Sequence, residues 1–308
     1  MKSKKFIKNV FLVLILLIAL FVGTAQQGCE QGQGSQQGLD FSLVTKSSFL
    51  SAGSTINQED TFYVGVKIEN YDKVERNGFV CIRDDVEDGF GGIVSEGSGE
   101  CKYFVVMAAQ EKEKSSSGSI IPGLGGSSSE IEPGIVEIYF PSENKEYSYS
   151  GMPELVKPYS GKISVSLKYQ ETTQATGTVT VPDESGVAIA QEPALVGAYV
   201  NKALHPRGEG YKLDLEINLV KQGNAKIFLP DFSEENKTYF LINLIPLNLE
   251  CSVTGKPLTG TLDLQTSQKV KCSTELNSKS TQSFPLVIGL TYGAMIEKSY
   301  SFSIKTKS

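Results

Sequence analysis

The sequence predicts an all-β protein with two tandem antiparallel β-sandwich domains that follow an N-terminal export or anchor segment. Beyond that segment, no window of about eleven residues or more shows helical periodicity. Instead, short runs alternate between apolar and polar residues, and turn residues separate these runs. Tyr, Phe, Val, Ile and Thr are plentiful and Trp is absent, a composition that suits pleated, half-buried strands.

The length and charge of the chain indicate two domains and argue against nucleic-acid binding. At 308 residues, the chain is long enough for two domains that each bury a core. Its net charge of −6 is spread over scattered positions, without a basic stripe that carries interleaved aromatic residues. Nucleic acid is therefore not an expected partner. A single His leaves few side chains suited to proton transfer near neutral pH.

The N-terminus predicts export. A basic leader precedes the apolar run Val10 to Val22, which spans roughly 20 Å as a helix and so falls short of the ~30 Å hydrocarbon core. Gly23-Thr24-Ala25 has the small-x-small form of a cleavage site. Residues 1–25 are therefore interpreted as a signal peptide or, alternatively, as a retained membrane anchor. Both interpretations place the chain from about residue 30 onward outside the cytoplasm.

Cys29 offers another route to the membrane. It follows Gly28 after the apolar run, which resembles the lipobox of prokaryotic lipoproteins, although Gln26 stands where that motif has an aliphatic residue. The resemblance implies lipidation at Cys29. Residues 26–38 are polar and rich in Gly, Gln and Ser, as expected of a flexible tether between a membrane and the first domain.

The other four cysteines predict two disulfides. Cys81 and Cys101 are twenty residues apart, and Cys251 and Cys272 are twenty-one apart. In an exported chain, two similarly spaced pairs indicate one disulfide in each domain. A zinc site is the competing interpretation, but the chain lacks a CxxC motif.

The first domain is predicted over residues 39–182. Alternating runs predict strands at the positions of Leu39–Leu43, Phe62–Ile68, Phe79–Ile82 and several later segments. The stretch from Ala109 to Gly134 is rich in Ser, Gly and charge, so we expect a disordered loop there. Within it, Ile120 to Leu124 forms a small apolar motif that is alternatively interpreted as a docking element.

The second domain is predicted over residues 194–308, after a linker at 183–193. Tyr211 to Val220 repeats the alternation of Thr61 to Asn70. Each half also closes with an alternating segment around a tyrosine, which we interpret as a hairpin. These segments are Lys162 to Val181 and Pro285 to Ile304.

This arrangement resembles the CARDB-like and related immunoglobulin-like modules of prokaryotic, archaeal-type cell-surface proteins. The opening strand, the VKIEN strand that ends at Asn70 and the ISVSLKY segment carry the resemblance. The chain departs from immunoglobulin domains proper in its close cysteine spacing and its lack of a core Trp. The resemblance implies extracellular β-sandwiches with binding or spacer duties, and it carries over no site residues.

Three places in the sequence are candidate sites for chemistry or modification. Asp84, Asp85 and Asp88 cluster as calcium ligands do, but Val86 breaks the ligand spacing, so a solvated acidic turn is the simpler interpretation. His205, in an HPRG sequence, is interpreted as a turn histidine because no GxSxG nucleophile motif is present. Asn236 begins an N-x-T sequon and predicts an exposed, possible glycosylation site.

Together these observations predict a non-catalytic protein of the cell envelope, extracytoplasmic and either membrane-anchored or secreted. Its domain pair would be adhesive, partner-binding or structural. The expected partners are the membrane, through the N-terminus, and a protein or glycan at the cell surface; no cofactor is expected. A secreted hydrolase with a divergent active site is the alternative, and it requires a concave pocket with a carboxyl group of perturbed pKa.

Overall fold

A computed structural model describes residues 38–97, 99–113, 129–141, 145–183, 186–191, 194–251, 259–264 and 269–306. The predicted signal peptide or anchor, Cys29, nearly all of the tether and the Ile120–Leu124 motif lie outside these residues. Within the described residues, the chain offers no helix with the length and apolar character needed to cross a membrane.

The all-β prediction is confirmed. The described residues form one short 3-10 helix, Asp88–Phe90, and a series of strands. The strands are β1 (Leu39–Leu43), β2 (Thr55–Asn57), β3 (Val64–Asn70), β4 (Arg76–Asp84), β5 (Glu100–Val106), β6 (Gln110–Glu113), β7 (Ser129–Glu132), β8 (Gly134–Phe140), β9 (Tyr159–Val181), β10 (Ile189–Gln191), β11 (Val196–Arg207), β12 (Gly210–Lys221), β13 (Lys226–Phe228), β14 (Lys237–Leu244), β15 (Glu250–Cys251), β16 (Thr259–Asp263), β17 (Lys269–Leu276) and β18 (Gln282–Lys305).

A nine-stranded, curled sheet is the largest element of the fold. Six of its strands lie in the order β16-β14-β18-β9-β4-β5, and β2, β10 and β13 add to the two long central strands. Every residue of β9 is paired with β18 in antiparallel register, from Tyr159 opposite Ile304 to Val181 opposite Gln282. Alternating burial gives both strands one mainly apolar, buried face and one outer face.

The prediction of two terminal hairpins is therefore wrong, because each segment is one long strand and the two strands pair with each other. Gly177 and Gly293 lie inside these strands, where they allow close approach of other chain segments. A Cβ atom on Gly177 would lie 2.7 Å from Cδ1 of Ile189, and one on Gly293 would lie 2.9 Å from the carbonyl oxygen of Leu229. Glycine in a strand interior often has this role.

Two smaller sheets cover the buried face of the central sheet. They have the orders β1-β3-β8 and β11-β12-β17-β15. Lys298 of β18 donates to the carbonyl oxygen of Phe41 in β1 at 2.7 Å and lies over its ring. Lys202 of β11 donates to the carbonyl oxygen of Thr180 in β9 at 2.8 Å. The buried apolar side chains of all three sheets form one continuous core.

The two halves that the sequence separates thus share a sheet, and residues 38–308 form one compact unit. The predicted linker at 183–193 includes strand β10, which pairs with β9. The halves are therefore joined by the β9–β18 pairing as well as by this segment. The immunoglobulin-like character of each half stays a prediction.

The predicted disordered loop at 109–134 is ordered at both ends. Gln110–Glu113 and Ser129–Glu132 pair as an antiparallel ladder, β6 with β7. The polar, charged composition of this segment does not prevent pairing, since a backbone ladder needs no buried side chains. Residues 114–128 lie outside the described part.

Candidate functional site

Both predicted disulfides are present in the structure. Cys81–Cys101 joins residues that face each other across β4 and β5, with Cα atoms 4.0 Å apart. Cys251–Cys272 joins facing residues of β15 and β17, with Cα atoms 3.9 Å apart. Two disulfides are typical of proteins from oxidising, extracytoplasmic compartments.

The three aspartates predicted as weak calcium candidates do not converge on one point. Asp85 accepts a hydrogen bond from the backbone N–H of Lys162 at 2.7 Å, and Asp88 accepts one from that of Ser95 at 2.6 Å. Asp84 has its own set of donors in the core. Among the described residues, no group of three or more His, Cys, Asp or Glu side chains is arranged to hold a metal ion.

Asp84 is buried, so the interpretation as a solvated acidic turn is wrong for this residue, whereas Asp85, Glu87 and Asp88 are exposed as predicted. Only 5% of its surface is exposed. Its Oδ2 atom accepts hydrogen bonds from the Tyr149 hydroxyl at 2.8 Å and the Ile93 N–H at 3.0 Å, and Oδ1 accepts one from the Val86 N–H at 3.1 Å. The carboxylate thereby fixes the loop after β4 and attaches it to Tyr149.

Burial raises the pKa of Asp84 to about 6, although the hydrogen bonds from Tyr149, Ile93 and Val86 act in the opposite direction. The pKa of Tyr149 is raised as well, first by its own burial and then by the nearby charge of Asp84. Since both oxygens of Asp84 already accept hydrogen bonds, the pair fits a role in holding the fold.

His205 lies on strand β11, close to the hairpin that joins β11 to β12. The prediction of a turn position is thus wrong by a small margin, because the turn itself is formed by Gly208 and Glu209. The imidazole side chain is 61% exposed, and its Nε2 atom is 3.2 Å from a carboxylate oxygen of Asp214 on β12. This exposed position suits a surface contact between the two side chains.

Asn236 lies in a left-handed turn just before β14, with φ of 62°. Its side chain is half-buried, and Thr238 of the same sequon is fully buried. The Thr238 hydroxyl donates to backbone carbonyl oxygens of Tyr239 and Thr291. This differs from the fully exposed polar turn predicted, because the alternation of β14 turns Thr238 toward the core. Glycosylation at Asn236 stays a prediction.

One buried polar network was missed by the sequence interpretation. It lies midway along the two long strands, where Glu171 of β9 faces Tyr292 of β18. Glu171 is 7% exposed, and Arg76 of β4 lies between it and Asp72, with its Nη2 atom 3.8 Å from Glu171 and 2.7 Å from Asp72. The Tyr292 hydroxyl accepts a hydrogen bond from the Leu195 N–H at 3.2 Å.

Burial raises the pKa of Glu171, and the positive charge of Arg76 partly offsets this effect. The network joins residues of both halves, since Tyr292 and Leu195 belong to the second half and Glu171, Arg76 and Asp72 to the first. The sequence does carry a signal for this network. The odd-numbered residues of β9 face the core, and Glu171 is a charged residue at one of these positions.

A groove on the outer face of the central sheet was also missed. Its volume is about 150 Å³. Its lining comes from both halves: β4 and β9 supply Cys81, Arg83, Ser164, Ser166 and Lys168, while β13 and β18 supply Lys226, Met295 and Glu297.

The strand register explains why this place forms a depression. Lys226, Met295 and Lys168 face one another across β13, β18 and β9 in a single row. The next row along the strands holds the small side chains of Ser166 and Cys81 between longer neighbours. Small side chains between long ones leave a trough on a pleated surface.

The charge of this groove is positive. Arg83 lies 3.2 Å from Glu297, and Lys226 lies 3.6 Å from the other oxygen of the same carboxylate. Lys168 has no ion-pair partner in the described part of the chain. The groove therefore holds three cations and one carboxylate, which pairs with only two of them, in a protein whose net charge is −6.

Two exposed aromatic side chains continue the Lys168 row. Phe79 faces Lys168 across β4 and β9, and Tyr103 faces Phe79 across β5 and β4. Phe79 is 50% exposed and Tyr103 is 57% exposed, with ring centroids 5.6 Å apart in an edge-to-face arrangement. Half-exposed aromatic side chains beside a charged groove are typical of binding surfaces.

Comparison with known protein families and with curated proteins finds no match for this chain.

Proposed function

We propose that the protein is a non-catalytic component of the cell envelope that binds a partner through the outer face of its central sheet. The observation that carries the proposal is the cationic groove beside Phe79 and Tyr103. Exposed aromatic groups supply contact area, and the cations supply orientation and attraction. Strands from both halves build this surface, so a pair of modules is needed to form it.

The environment of the titratable side chains supports a binding role over a catalytic one. An active-site acid needs a proton-transfer path to a substrate. Asp84 is the buried acid with a pKa near 6, but three donors from its own loop and Tyr149 occupy its oxygens. His205 is exposed and paired with Asp214. A divergent hydrolase would have to open the loop around Asp84 before it could act.

We infer that each half is an immunoglobulin-like sandwich of the kind that prokaryotic surface proteins carry in tandem. The support is that each half of the central sheet has its own covering sheet. In both halves the opening strand pairs with the strongly alternating strand that follows it, β1 with β3 and β11 with β12. The halves then serve as both binding surface and spacer.

The two disulfides and the basic-apolar N-terminus support an extracytoplasmic position. Membrane association would come from residues 1–25 if they are retained, or from a lipid on Cys29. Cell fractionation tests this part. Recovery of the mature chain in the envelope fraction is expected, and recovery wholly in the medium contradicts the anchor.

Binding to isolated envelopes of the organism that makes the protein tests the main proposal. The full chain is expected to bind saturably, and Arg83→Ala with Lys168→Ala to weaken that binding. Lys221→Ala with Lys305→Ala is the matched control, because it removes two exposed lysines of the described residues away from the groove. Equal binding by the groove double variant and the parent chain contradicts the proposal.

A further inference from the structure

We propose that the groove recognises an anionic polysaccharide, with the acidic group on Lys168 and Arg83 and the sugar rings against Phe79 and Tyr103. The inference rests on the proposed binding function and names its ligand class. It depends on three properties of the groove: its charge, its position inside the sheet and its side-chain chemistry.

The charge selects an anion. Lys168 lies in the middle of its row, between Met295 on one side and Phe79 on the other, and no carboxylate pairs with it among the described residues. The Arg83 side chain is 46% exposed, and its ion pair with Glu297 leaves further guanidinium N–H groups for a ligand. Because the chain as a whole is acidic, this local excess of cations attracts an anion only at short range.

The position inside the sheet argues against an extended peptide. A peptide that adds to a sheet needs an edge strand with free backbone groups. In the groove, β9 lies between β4 and β18, and its backbone pairs with both. Side chains must therefore recognise the ligand. This favours a sugar, because a sugar carries hydroxyl groups around its whole ring.

The side chains suit such a ligand. Ser166 lines the groove, and the hydroxyls of Ser164 and Ser299 lie 3.1 Å apart, so hydroxyl groups form its polar floor. The edge-to-face pair of Phe79 and Tyr103 offers apolar faces in the row of Lys168, and Ser166 lies in the next row along the strands. Sites for small polar ligands combine apolar contact area with a few convergent polar groups.

The row also has the length needed for more than one sugar. From Lys168 on β9 to Tyr103 on β5 the row crosses two strand spacings, and from Lys168 to Lys226 it crosses two more. At roughly 4.8 Å per spacing, the row extends about 19 Å across the sheet. An oligosaccharide laid across the strands can therefore contact the aromatic pair and the cations together.

The experiment measures binding of three probes to the full chain, purified in a neutral detergent. The probes are hexagalacturonate, which carries carboxylates, maltohexaose, which is neutral, and hexaglutamate, an acidic peptide. Hexagalacturonate should bind saturably and more weakly as salt is raised, and the other two should bind at least about tenfold more weakly.

Variants then locate the binding. Lys168→Met should weaken hexagalacturonate binding about tenfold, since a charge-assisted hydrogen bond is lost, and Lys168→Arg should largely restore it. Phe79→Ala should also weaken it, whereas Lys221→Met is the control that should have no effect. Lys168 and Phe79 both lie on the outer face of the sheet, so we expect these variants to fold like the parent chain. Intact disulfides and an unchanged unfolding midpoint in each variant check this.

Each alternative outcome overturns a different statement. Equal binding of maltohexaose removes the charge argument, and equal or tighter binding of hexaglutamate makes the ligand an acidic peptide. If Lys168→Met binds hexagalacturonate like the parent chain, the groove is not the site. If no probe binds but envelope binding still depends on Arg83 and Lys168, the ligand class is wrong and the proposed function stands. If no probe binds and envelope binding is also independent of these residues, the ligand class and the proposed function are both wrong.

Discussion

The two halves of the molecule contribute to the central sheet in mirrored order. The first half supplies β9, β4 and β5 from the centre outward, and the second supplies β18, β14 and β16. Their disulfides, however, lie in different places, since Cys81–Cys101 is in the central sheet and Cys251–Cys272 is in a covering sheet. Similar cysteine spacing thus arises at non-equivalent positions, and the shared feature of the halves is their strand plan.

The halves also contribute different side chains to the groove on the strand pair β9–β18. In the first half, β9 carries Lys168 and the serines of the groove on its outer face. In the second half, β18 completes that groove with Met295 and Glu297. One strand pair therefore joins the halves, which we expect to couple their stability, and also builds the proposed binding surface. The substitutions below separate these two roles.

The largest effect is expected from Leu290→Ala in β18. Leu290 is fully buried, and removal of its side chain should cost about 2–5 kcal/mol of unfolding free energy. Because the core is continuous, hydrogen exchange should accelerate in both β3 and β12. Leu241→Ala, on the exposed face of the neighbouring strand, is the control and should change stability by about 0.5 kcal/mol or less. Faster exchange in β12 alone would mean that the halves are independent.

Removal of either disulfide should cost about 3 kcal/mol on the chain-entropy model, because the closed loops are of nearly equal length. Cys81→Ser with Cys101→Ser and Cys251→Ser with Cys272→Ser are compared in urea unfolding. If stability is shared across the sheet, each double variant should lower the midpoint of the whole transition. A loss confined to one part of the transition is the contradicting result.

Asp84 gives the first half a pH dependence that the described part of the second half does not share. Its pKa in the folded protein, about 6, is above the ordinary value of 3.8, so the folded protein holds the proton more tightly. Its contribution to stability is therefore fully present below about pH 4 and is lost as the pH rises to about 6, by up to about 2–3 kcal/mol. Asp84→Asn should remove the part of this slope that Asp84 contributes and leave the part due to Glu171, whose pKa is also raised. A parent chain whose stability, relative to that variant, rises between pH 4 and 6 contradicts the assignment.

Two glycines on the long strands provide the smallest and best-matched comparison. Gly177→Ala should destabilise by about 1–3 kcal/mol, because its Cβ would approach Ile189 to 2.7 Å and the carbonyl oxygen of Ala188 to 2.8 Å. Gly289→Ala should be neutral or stabilising by up to about 0.5 kcal/mol, since its nearest contact would be Leu241 at 3.7 Å. Thermal unfolding of the two variants checks the difference, and equal midpoints would remove the close-approach role assigned to Gly177.

The strands and disulfides could be predicted from the sequence because their signals are local. Alternation identifies the strands around Phe79 and Tyr211, and cysteine spacing indicates the pairing. The β9–β18 pairing joins residues more than 100 positions apart, from Tyr159 with Ile304 to Val181 with Gln282. Such pairing leaves no local signal, so each of the two segments was interpreted as a hairpin of its own.

The candidate site was hidden for the same reason. Lys226, Met295, Lys168, Phe79 and Tyr103 form one row through four separate registers, and none of these residues is unusual in its local sequence. The acidic cluster around Asp84 was conspicuous in the sequence, but its burial depends on Tyr149, which approaches from a later segment. The conspicuous acidic composition and the proposed binding surface therefore lie at different places in this chain.

Equilibrium urea unfolding of the disulfide-intact chain tests the shared sheet most directly. Hydrogen exchange pulses along the titration report β3 in the first half and β12 in the second. A single transition with coincident midpoints for the two strands is expected, because β9 and β18 place both halves in one sheet. Two separated transitions, with one covering sheet unfolded while the other remains protected, would contradict the account.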